Sequence, residues 1–175
     1  MNVMDLYDIV HEGDLTKMIQ WLDHHPEHLN APIRDGYTPL HVACMFGRET
    51  LVDYLVTHHA LVNANADNPS LATPLHLAVN YREEDVAGRM VRMLISNGAE
   101  LNAKQAEGLT PLHHAVARGS LKLTRTLVRA GADPFLKDSL GRSPADLARQ
   151  LTKSMPEAPA NEIQSALKEV FSLET

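Results

Sequence analysis

Thr38-Pro39-Leu40-His41 is a four-residue stretch that returns twice in complete form, as Thr73-Pro74-Leu75-His76 and as Thr110-Pro111-Leu112-His113. A degenerate copy, Ser143-Pro144-Ala145-Asp146, follows them, and successive copies lie 35, 37 and 33 residues apart. Behind each complete copy, apolar residues recur near the helical period, which predicts a second helix after the motif. Self-similar units of this length are typical of stacked repeats, in which each unit buries its apolar face against its neighbours.

The residue types of the motif fit the start of a helix. A threonine side chain can cap the helix, and the proline after it lacks an amide hydrogen that would have no partner at that position. The leucine that follows is expected in the core between repeats. Gly98 and Gly131 end two of the second helices, where glycine easily adopts the left-handed conformation. His59 stands at this place in the second unit, so a strained but tolerable backbone is expected there.

This pattern resembles the ankyrin repeat, in which Gly-x-Thr-Pro-Leu-His is followed by two helices of a 33-residue unit. The resemblance covers almost the whole chain and implies an all-α ankyrin-repeat solenoid of helix-turn-helix pairs with β-turn fingers between them. We expect a single domain over residues 1–175 with five units. They are an N-terminal cap at about 4–33, repeats at about 34–67, 68–104 and 105–137, and a C-terminal cap at about 138–175. Within the last unit, the proline-rich residues 155–160 are expected to form a loop.

The composition excludes several classes of protein. A net charge of −6 argues against a nucleic-acid partner, and a single cysteine, Cys44, excludes an internal disulfide framework and a cysteine-based zinc site. No stretch approaches the roughly 20 apolar residues that span a membrane. Residues 1–6 show no basic segment followed by an apolar run, so a cytoplasmic protein is expected unless a signal peptide has been removed.

Charge is unevenly distributed along the chain. Residues 1–67 carry 10 acidic and 3 basic side chains, residues 68–137 carry 6 and 9, and residues 138–175 carry 6 and 4. Lys122, Arg125 and Arg129 share one face of a predicted helix. These charges indicate either ordinary solvated faces or contacts to a partner of complementary charge.

The ten histidines could suggest metal binding or catalysis. The resemblance implies a structural role for His41, His76 and His113, which would bind backbone groups in and around the turn. For His24, His25 and His28 a surface cluster is favoured over a metal site, because Pro26 breaks the helical spacing that a zinc pair requires and no carboxylate stands at an obvious complementary spacing. Cys44 fits a small buried residue better than a reactive thiol. No catalytic motif is present, so we expect no enzyme, no cofactor and no metal.

The resemblance implies that a partner protein binds at the finger tips and the inner first helices. Met45, Phe46 and Tyr81 stand where a polar residue would suffice, and exposed aromatic residues beside arginine are typical of interface hot spots. The alternative is that Phe46 or Tyr37 packs against a neighbouring finger. The expected partner-binding residues are Arg34, Asp35, Tyr37, Met45, Phe46, Asn68, Leu71, Tyr81, Arg82, Glu107, Leu109, Arg118, Ser139, Leu140 and Arg142.

Two insertions interrupt the repeat. The finger at 65–72 is two residues longer than the pattern, and four extra residues lie between two helices within 80–88. Insertions in repeat proteins map to loops, often on the binding face, although neutral drift in a tolerant loop is the alternative.

These features together predict a non-catalytic monomer that binds another protein through its concave face and fingers. It would act as an inhibitor or immunity-type protein, with one insertion plugging an enzyme. The alternatives are an adaptor that recruits a partner without inhibiting it and, from a different class, a histidine-dependent metalloprotein.

Overall fold

A computed structural model describes residues 3–154 and 160–171 of the chain. The described residues form ten α-helices and two short 3-10 turns, with no extended strand among them. The chain has two compact units, residues 1–99 and 100–175. The expected all-α fold class is confirmed, while the single domain with five units stays a prediction.

The first unit contains three helix pairs. They are α1 (Val3–Glu12) with α2 (Leu15–His24), α3 (Pro39–Met45) with α4 (Glu49–Thr57), and α5 (Pro74–Asn80) with α6 (Glu84–Ser96). The first helices contact one another in the order α1, α3, α5, and α4 contacts α6. Fully buried apolar side chains fill the space between the pairs, namely Leu6, Met18, Leu40, Leu51, Leu55, Leu75, Met90 and Leu94.

The second unit contains two helix pairs, α7 (Pro111–Ala117) with α8 (Leu121–Arg129) and α9 (Pro144–Ser154) with α10 (Ala160–Phe171). Helix α7 contacts α9, and α8 contacts α10, so the pairs stack as in the first unit. Their core contains Leu112, Leu123, Leu127 and Ile163. The loop expected at 155–160 falls mainly on residues 155–159, which lie outside the described residues; Ala160 begins α10.

The repeated motif starts helices α3, α5 and α7 in the expected way. Thr38, Thr73 and Thr110 are the N-cap residues, and proline occupies the first helical turn in all three. Each threonine forms a reciprocal capping box with the histidine three residues later. The degenerate copy builds a similar arrangement, because Asp146 Oδ2 accepts from the Ser143 hydroxyl (2.8 Å) and backbone N–H (3.1 Å).

The backbone at the ends of the second helices also agrees with the sequence. His59 has φ of 66°, beside 83° at Gly98 and 106° at Gly131. A histidine therefore adopts the left-handed conformation that glycine adopts in the other repeats.

The insertion within 80–88 is not a loop, contrary to expectation. Helix α6 has 13 residues, whereas α4 and α8 have nine each. The linkers at 46–48, 81–83 and 118–120 are equally short. Glu84 and Asp85 occupy the first turn of α6, where acidic side chains interact favourably with the helix dipole. The extra residues therefore lengthen the helix by about one turn.

None of the helices in the described ranges is both long enough and apolar enough to cross a membrane.

Candidate protein-binding surface

The finger at 33–37 is a tight hydrogen-bonded turn. The backbone N–H of Tyr37 donates to the carbonyl of Arg34, and that of Ile33 donates to the carbonyl of Tyr37, both at 2.8 Å. Asp35 and Gly36 at the tip have φ of 50° and 76°. Positive φ at both central residues defines a type I′ turn, for which Asp-Gly is a preferred sequence. The Asp-Gly sequence and the backbone conformation therefore both indicate a tight turn at this tip.

The next finger, at 65–72, is held to the first one. The backbone N–H of Asp67 donates to the carbonyl of Gly36 at 2.8 Å, and the side-chain amide of Asn68 donates to the carbonyl of Asp35 at 2.7 Å. A Cβ atom added at Gly36 would lie 2.1 Å from the carbonyl oxygen of Asp67. Only glycine therefore permits this close approach of the two backbones.

The lengthened finger is also closed on itself. The backbone N–H of Ala66 donates to the carbonyl of Ala72 at 2.8 Å, and that of Leu71 donates to Asn68 at 3.1 Å. Leu71 has φ of 52° and is 49% exposed. A bulky side chain rarely adopts this backbone region, so the turn presents an exposed leucine at some conformational cost.

The second unit repeats this construction. The backbone N–H of Ser139 donates to the carbonyl of Glu107 at 2.8 Å, which links the fingers at 105–109 and 138–142. Asp138 organises the latter finger, since its carboxylate accepts from the backbone N–H groups of Leu140 and Arg142 and from the guanidinium of Arg142, at 2.8–3.0 Å. Burial opposes ionisation of Asp138, but these hydrogen bonds outweigh it and lower its pKa. Leu140 at the tip is 74% exposed.

Several expected partner-binding residues are engaged within the first unit. The Phe46 ring packs edge-on against His11, with centroids 4.3 Å apart, and the guanidinium carbon of Arg34 lies 4.0 Å above the Tyr7 ring. A Cβ added at Gly47 would lie 2.2 Å from the Tyr81 ring. Phe46 therefore packs against α1 rather than a finger, and Arg34, Phe46 and Tyr81 each have a contact within the first unit.

All fifteen expected partner-binding residues divide by exposure. Half-buried are Arg34, Tyr37, Met45, Phe46, Asn68, Tyr81, Leu109 and Arg142, and exposed are Asp35, Leu71, Arg82, Glu107, Arg118, Ser139 and Leu140. Two large apolar residues outside this set, Leu61 and Phe135, are 58% and 53% exposed. Phe135 was not among the expected residues, and its available signal was its place directly after the turn-forming pair Asp133-Pro134.

The repeat histidines have the structural role that the resemblance implied. The Nδ1 atom of His41 lies 3.3 Å from the Thr38 backbone nitrogen and 2.8 Å from its hydroxyl, and Nε2 lies 2.9 Å from the carbonyl oxygen of Ala72. A carbonyl only accepts, so Nε2 carries the proton and Nδ1 accepts from Thr38. His113 makes the equivalent contact to the carbonyl of Arg142 at 3.1 Å. Burial lowers the pKa of both histidines.

The recurring asparagines link neighbouring repeats, a role that the sequence analysis missed. Asn30 Oδ1 accepts from the backbone N–H of Leu61 at 2.7 Å, and Asn102 Oδ1 accepts from that of Asp133 at 2.9 Å. The amide of Asn63 donates to the carbonyl of Gly98 at 2.9 Å. Their recurrence in Asn-Ala pairs was the available signal.

Two other features that the sequence indicated are Cys44 and the histidines at the end of α2. Cys44 is fully buried, and burial raises the pKa of its thiol, which disfavours a reactive role. Helix α2 ends at His24, and a 3-10 turn follows at Pro26–Leu29. This turn brings Glu27 between His25 and His28, a carboxylate neighbour that the sequence analysis did not identify.

Comparison with known proteins agrees with this architecture. Family models of ankyrin repeats match residues 6–104 and 94–148. The chain therefore belongs to the ankyrin-repeat family. Ankyrin repeats are generally non-catalytic modules that bind other proteins, and the chain is accordingly a protein–protein interaction module.

Similar curated proteins come from diverse sources. The B-cell lymphoma 3 protein homolog of Mus musculus is 40% identical over 115 residues, which cover 66% of this chain and 25% of that protein. The nuclear factor NF-kappa-B p105 subunit of Mus musculus is 36% identical over 63% of this chain and 11% of its own length. The putative ankyrin repeat protein FPV031 of Fowlpox virus is 34% identical over 66% of this chain and 34% of its own length. The matches thus span about a third or less of these relatives.

Proposed function

We propose that the chain is a non-catalytic binding protein that holds a partner protein on its finger tips and its first helices. The observation that carries this proposal is the presentation of exposed leucines on turns that hydrogen bonds hold rigid. Leu71 is 49% and Leu140 is 74% exposed, each on a finger tied to its neighbour.

The energetic cost of Leu71 supports a functional role. A non-glycine residue in the left-handed region costs roughly 1–2 kcal/mol, and water-exposed leucine gains no burial in return. A glycine or asparagine would build the same turn at lower cost. Strain kept at an exposed apolar residue is characteristic of binding positions.

Each unit also has an exposed arginine at the C-terminal end of a first helix, which would supply a polar contact to a partner. Arg82 follows α5 and Arg118 is the C-cap of α7, and both are exposed. Arginine and apolar anchors together are the usual composition of interface hot spots. Because the fingers are already ordered, binding loses less conformational entropy than it would with flexible loops.

Partner capture tests the proposal directly. The wild-type chain and a Leu71→Asn/Arg82→Ser/Leu140→Ser variant are immobilised separately and compared. Asparagine is chosen at residue 71 because it tolerates the left-handed backbone there. Leu61→Ser is the matched control, since it removes a leucine of similar exposure outside the finger tips. We expect a partner that wild type and control retain and the triple variant loses. Equal retention by all three proteins would place binding elsewhere.

The finer proposal is that the chain inhibits its partner, with the rigid finger at 65–72 as the occluding element. The extra turn of α6 offers no loop for this purpose. A partner enzyme whose activity disappears as the chain saturates it supports inhibition, whereas full activity within a stable complex supports the adaptor alternative. We further propose a cytoplasmic monomer, consistent with its one buried thiol, and size-exclusion chromatography with light scattering tests the monomer.

A further inference from the structure

Three possible metal ligands meet at the turn that follows α2. The Nδ1 atoms of His25 and His28 lie 3.6 Å and 3.2 Å from Oε1 of Glu27. One donor atom from each of the three residues falls within 4.8 Å of the other two. This His25–Glu27–His28 cluster lies entirely within the first unit.

The local backbone explains why these side chains converge. Pro26 ends α2 and begins a four-residue 3-10 turn. A 3-10 helix has three residues per turn, so side chains three positions apart lie above one another. His25 precedes the turn and His28 lies within it, and this spacing replaces the four-residue spacing of an α-helical metal pair. The backbone N–H of His25 donates to the carbonyls of Trp21 and Leu22, which fixes the position of the first ligand.

The separations agree with metal coordination. Zinc binds histidine nitrogen and carboxylate oxygen at about 2.0–2.2 Å with tetrahedral angles, which places neighbouring donor atoms about 3.3–3.6 Å apart. Both histidine–glutamate separations are close to this interval. The donor atoms of the two histidines lie within 4.8 Å of each other and would have to approach further around an ion.

The polar atoms around the cluster give an independent indication. Within the described part of the chain, Nε1 of Trp21 is buried without a hydrogen-bond partner, and Nδ1 of His28 is buried and makes no hydrogen bond of good geometry although it lies 3.2 Å from Oε1 of Glu27. Trp21 is 3% exposed, and its ring centroid lies 4.5 Å from that of His25 and 4.8 Å from that of His28. Trp21 and His25 also line a surface pocket of about 400 Å³. A cation bound between a buried histidine nitrogen and a carboxylate oxygen that lack a good mutual hydrogen bond would satisfy both atoms.

We propose that His25, Glu27 and His28 bind one divalent transition-metal ion of the zinc, nickel and copper class. Imidazole and carboxylate ligands suit this class, and water completes the coordination. The ion fastens the turn after the first helix pair to the end of α2. It is a structural ligand and adds no catalytic step.

The single tryptophan of the chain reports binding, because Ni²⁺ and Cu²⁺ quench a neighbouring indole and Zn²⁺ does not. Protein without a histidine tag is stripped with a chelator and titrated with Ni²⁺, followed by Zn²⁺ as competitor. We expect saturable quenching with one ion per chain, reversed by Zn²⁺. Elemental analysis after equilibrium dialysis against Zn²⁺ measures the stoichiometry separately.

Variants assign the ligands. We expect Glu27→Gln to lower the affinity for the ion about 10–100-fold and His25→Asn/His28→Asn to abolish saturable binding. His24→Asn is the matched control and retains wild-type affinity, since its Nδ1 atom is bonded to the carbonyl of Gln20 at 2.8 Å. Circular dichroism verifies that each variant is folded. Unsaturable quenching in the wild type, equal binding by the double variant, or loss of binding in His24→Asn would overturn the assignment.

Discussion

Replacing His41 with alanine removes the side chain that joins a helix cap to the next finger. His41 is fully buried between Thr38, whose backbone N–H it accepts, and the carbonyl of Ala72. In the variant the carbonyl of Ala72 keeps the hydrogen bond from the N–H of Ala66 at 2.8 Å. The Thr38 N–H loses its acceptor in a residue that is only 6% exposed.

The expected change in the free energy of unfolding has two contributions. An orphaned buried N–H costs about 1–3 kcal/mol. Truncating a large buried side chain to alanine costs about 2–5 kcal/mol for apolar residues, and the partly polar imidazole falls near the lower end. We therefore expect His41→Ala to reduce the free energy of unfolding by about 3–5 kcal/mol, a large share of the stability of a typical domain.

Urea denaturation measures this loss. With an m-value of about 2 kcal/mol/M, the midpoint should fall by roughly 1.5–2.5 M. Trp21 fluorescence and far-UV circular dichroism follow the transition. His58→Ala, at an exposed histidine whose Nδ1 lies 2.7 Å from the Tyr54 carbonyl oxygen, should cost no more than about 1.5 kcal/mol. A double-mutant cycle with Thr38→Ala should give a coupling energy of about 0.5–3 kcal/mol. A loss below about 1 kcal/mol, or zero coupling, would refute the assigned role.

Three further predictions concern pH and the backbone. Burial lowers the pKa of His41 and His113 below the ordinary value of about 6.5, so the unfolded chain takes up these protons first as the pH falls. The contribution of the two neutral histidines to the free energy of unfolding is complete above about pH 6.5. Below that pH it declines by up to about 1.4 kcal/mol per pH unit for each histidine. Urea midpoints that stay constant from about pH 7.5 to 5 would contradict this. Gly36→Ala should cost about 3 kcal/mol or more, because its φ is 76° and the added methyl would meet a backbone carbonyl; a melting temperature equal to wild type would disprove the close approach. His59→Gly should stabilise the chain by up to about 1 kcal/mol, and Gly98→Ala should destabilise it by about 1 kcal/mol, so thermal melts that shift in the same direction would exclude the strain argument.

The elements governed by local chemistry were predictable from the sequence. The Thr-Pro-Leu-His motif located the starts of α3, α5 and α7, and the leucine of each copy is at most 1% exposed. The left-handed backbone at His59 was predictable as well, because its place in the repeat was otherwise occupied by glycine. Such features depend on a few adjacent residues and recur in phase.

Features that depend on long-range packing were not predictable. The contact between the Phe46 ring and His11, which lies 35 positions earlier in α1, had no signal in the sequence. The hydrogen bond between Asp67 and Gly36 likewise joins separate fingers. Sequence periodicity identifies which face of a helix is apolar, but it does not identify the side chain that covers it. The partner-binding residues therefore stay predictions, with exposure favouring Leu71 and Leu140.

The length of the α6 insertion has a geometric consequence. Each helical residue advances the side chain by about 100°, so four added residues complete one full circle and about 40° more. Met90, Val91 and Leu94 consequently still face the core, where none of them is exposed. Two added residues would have turned the same side chains by about 200°, into solvent. The repeat thus accepts growth in increments of one helical turn, and its second helix can lengthen at the N-terminal end without any change in the packing of the rest.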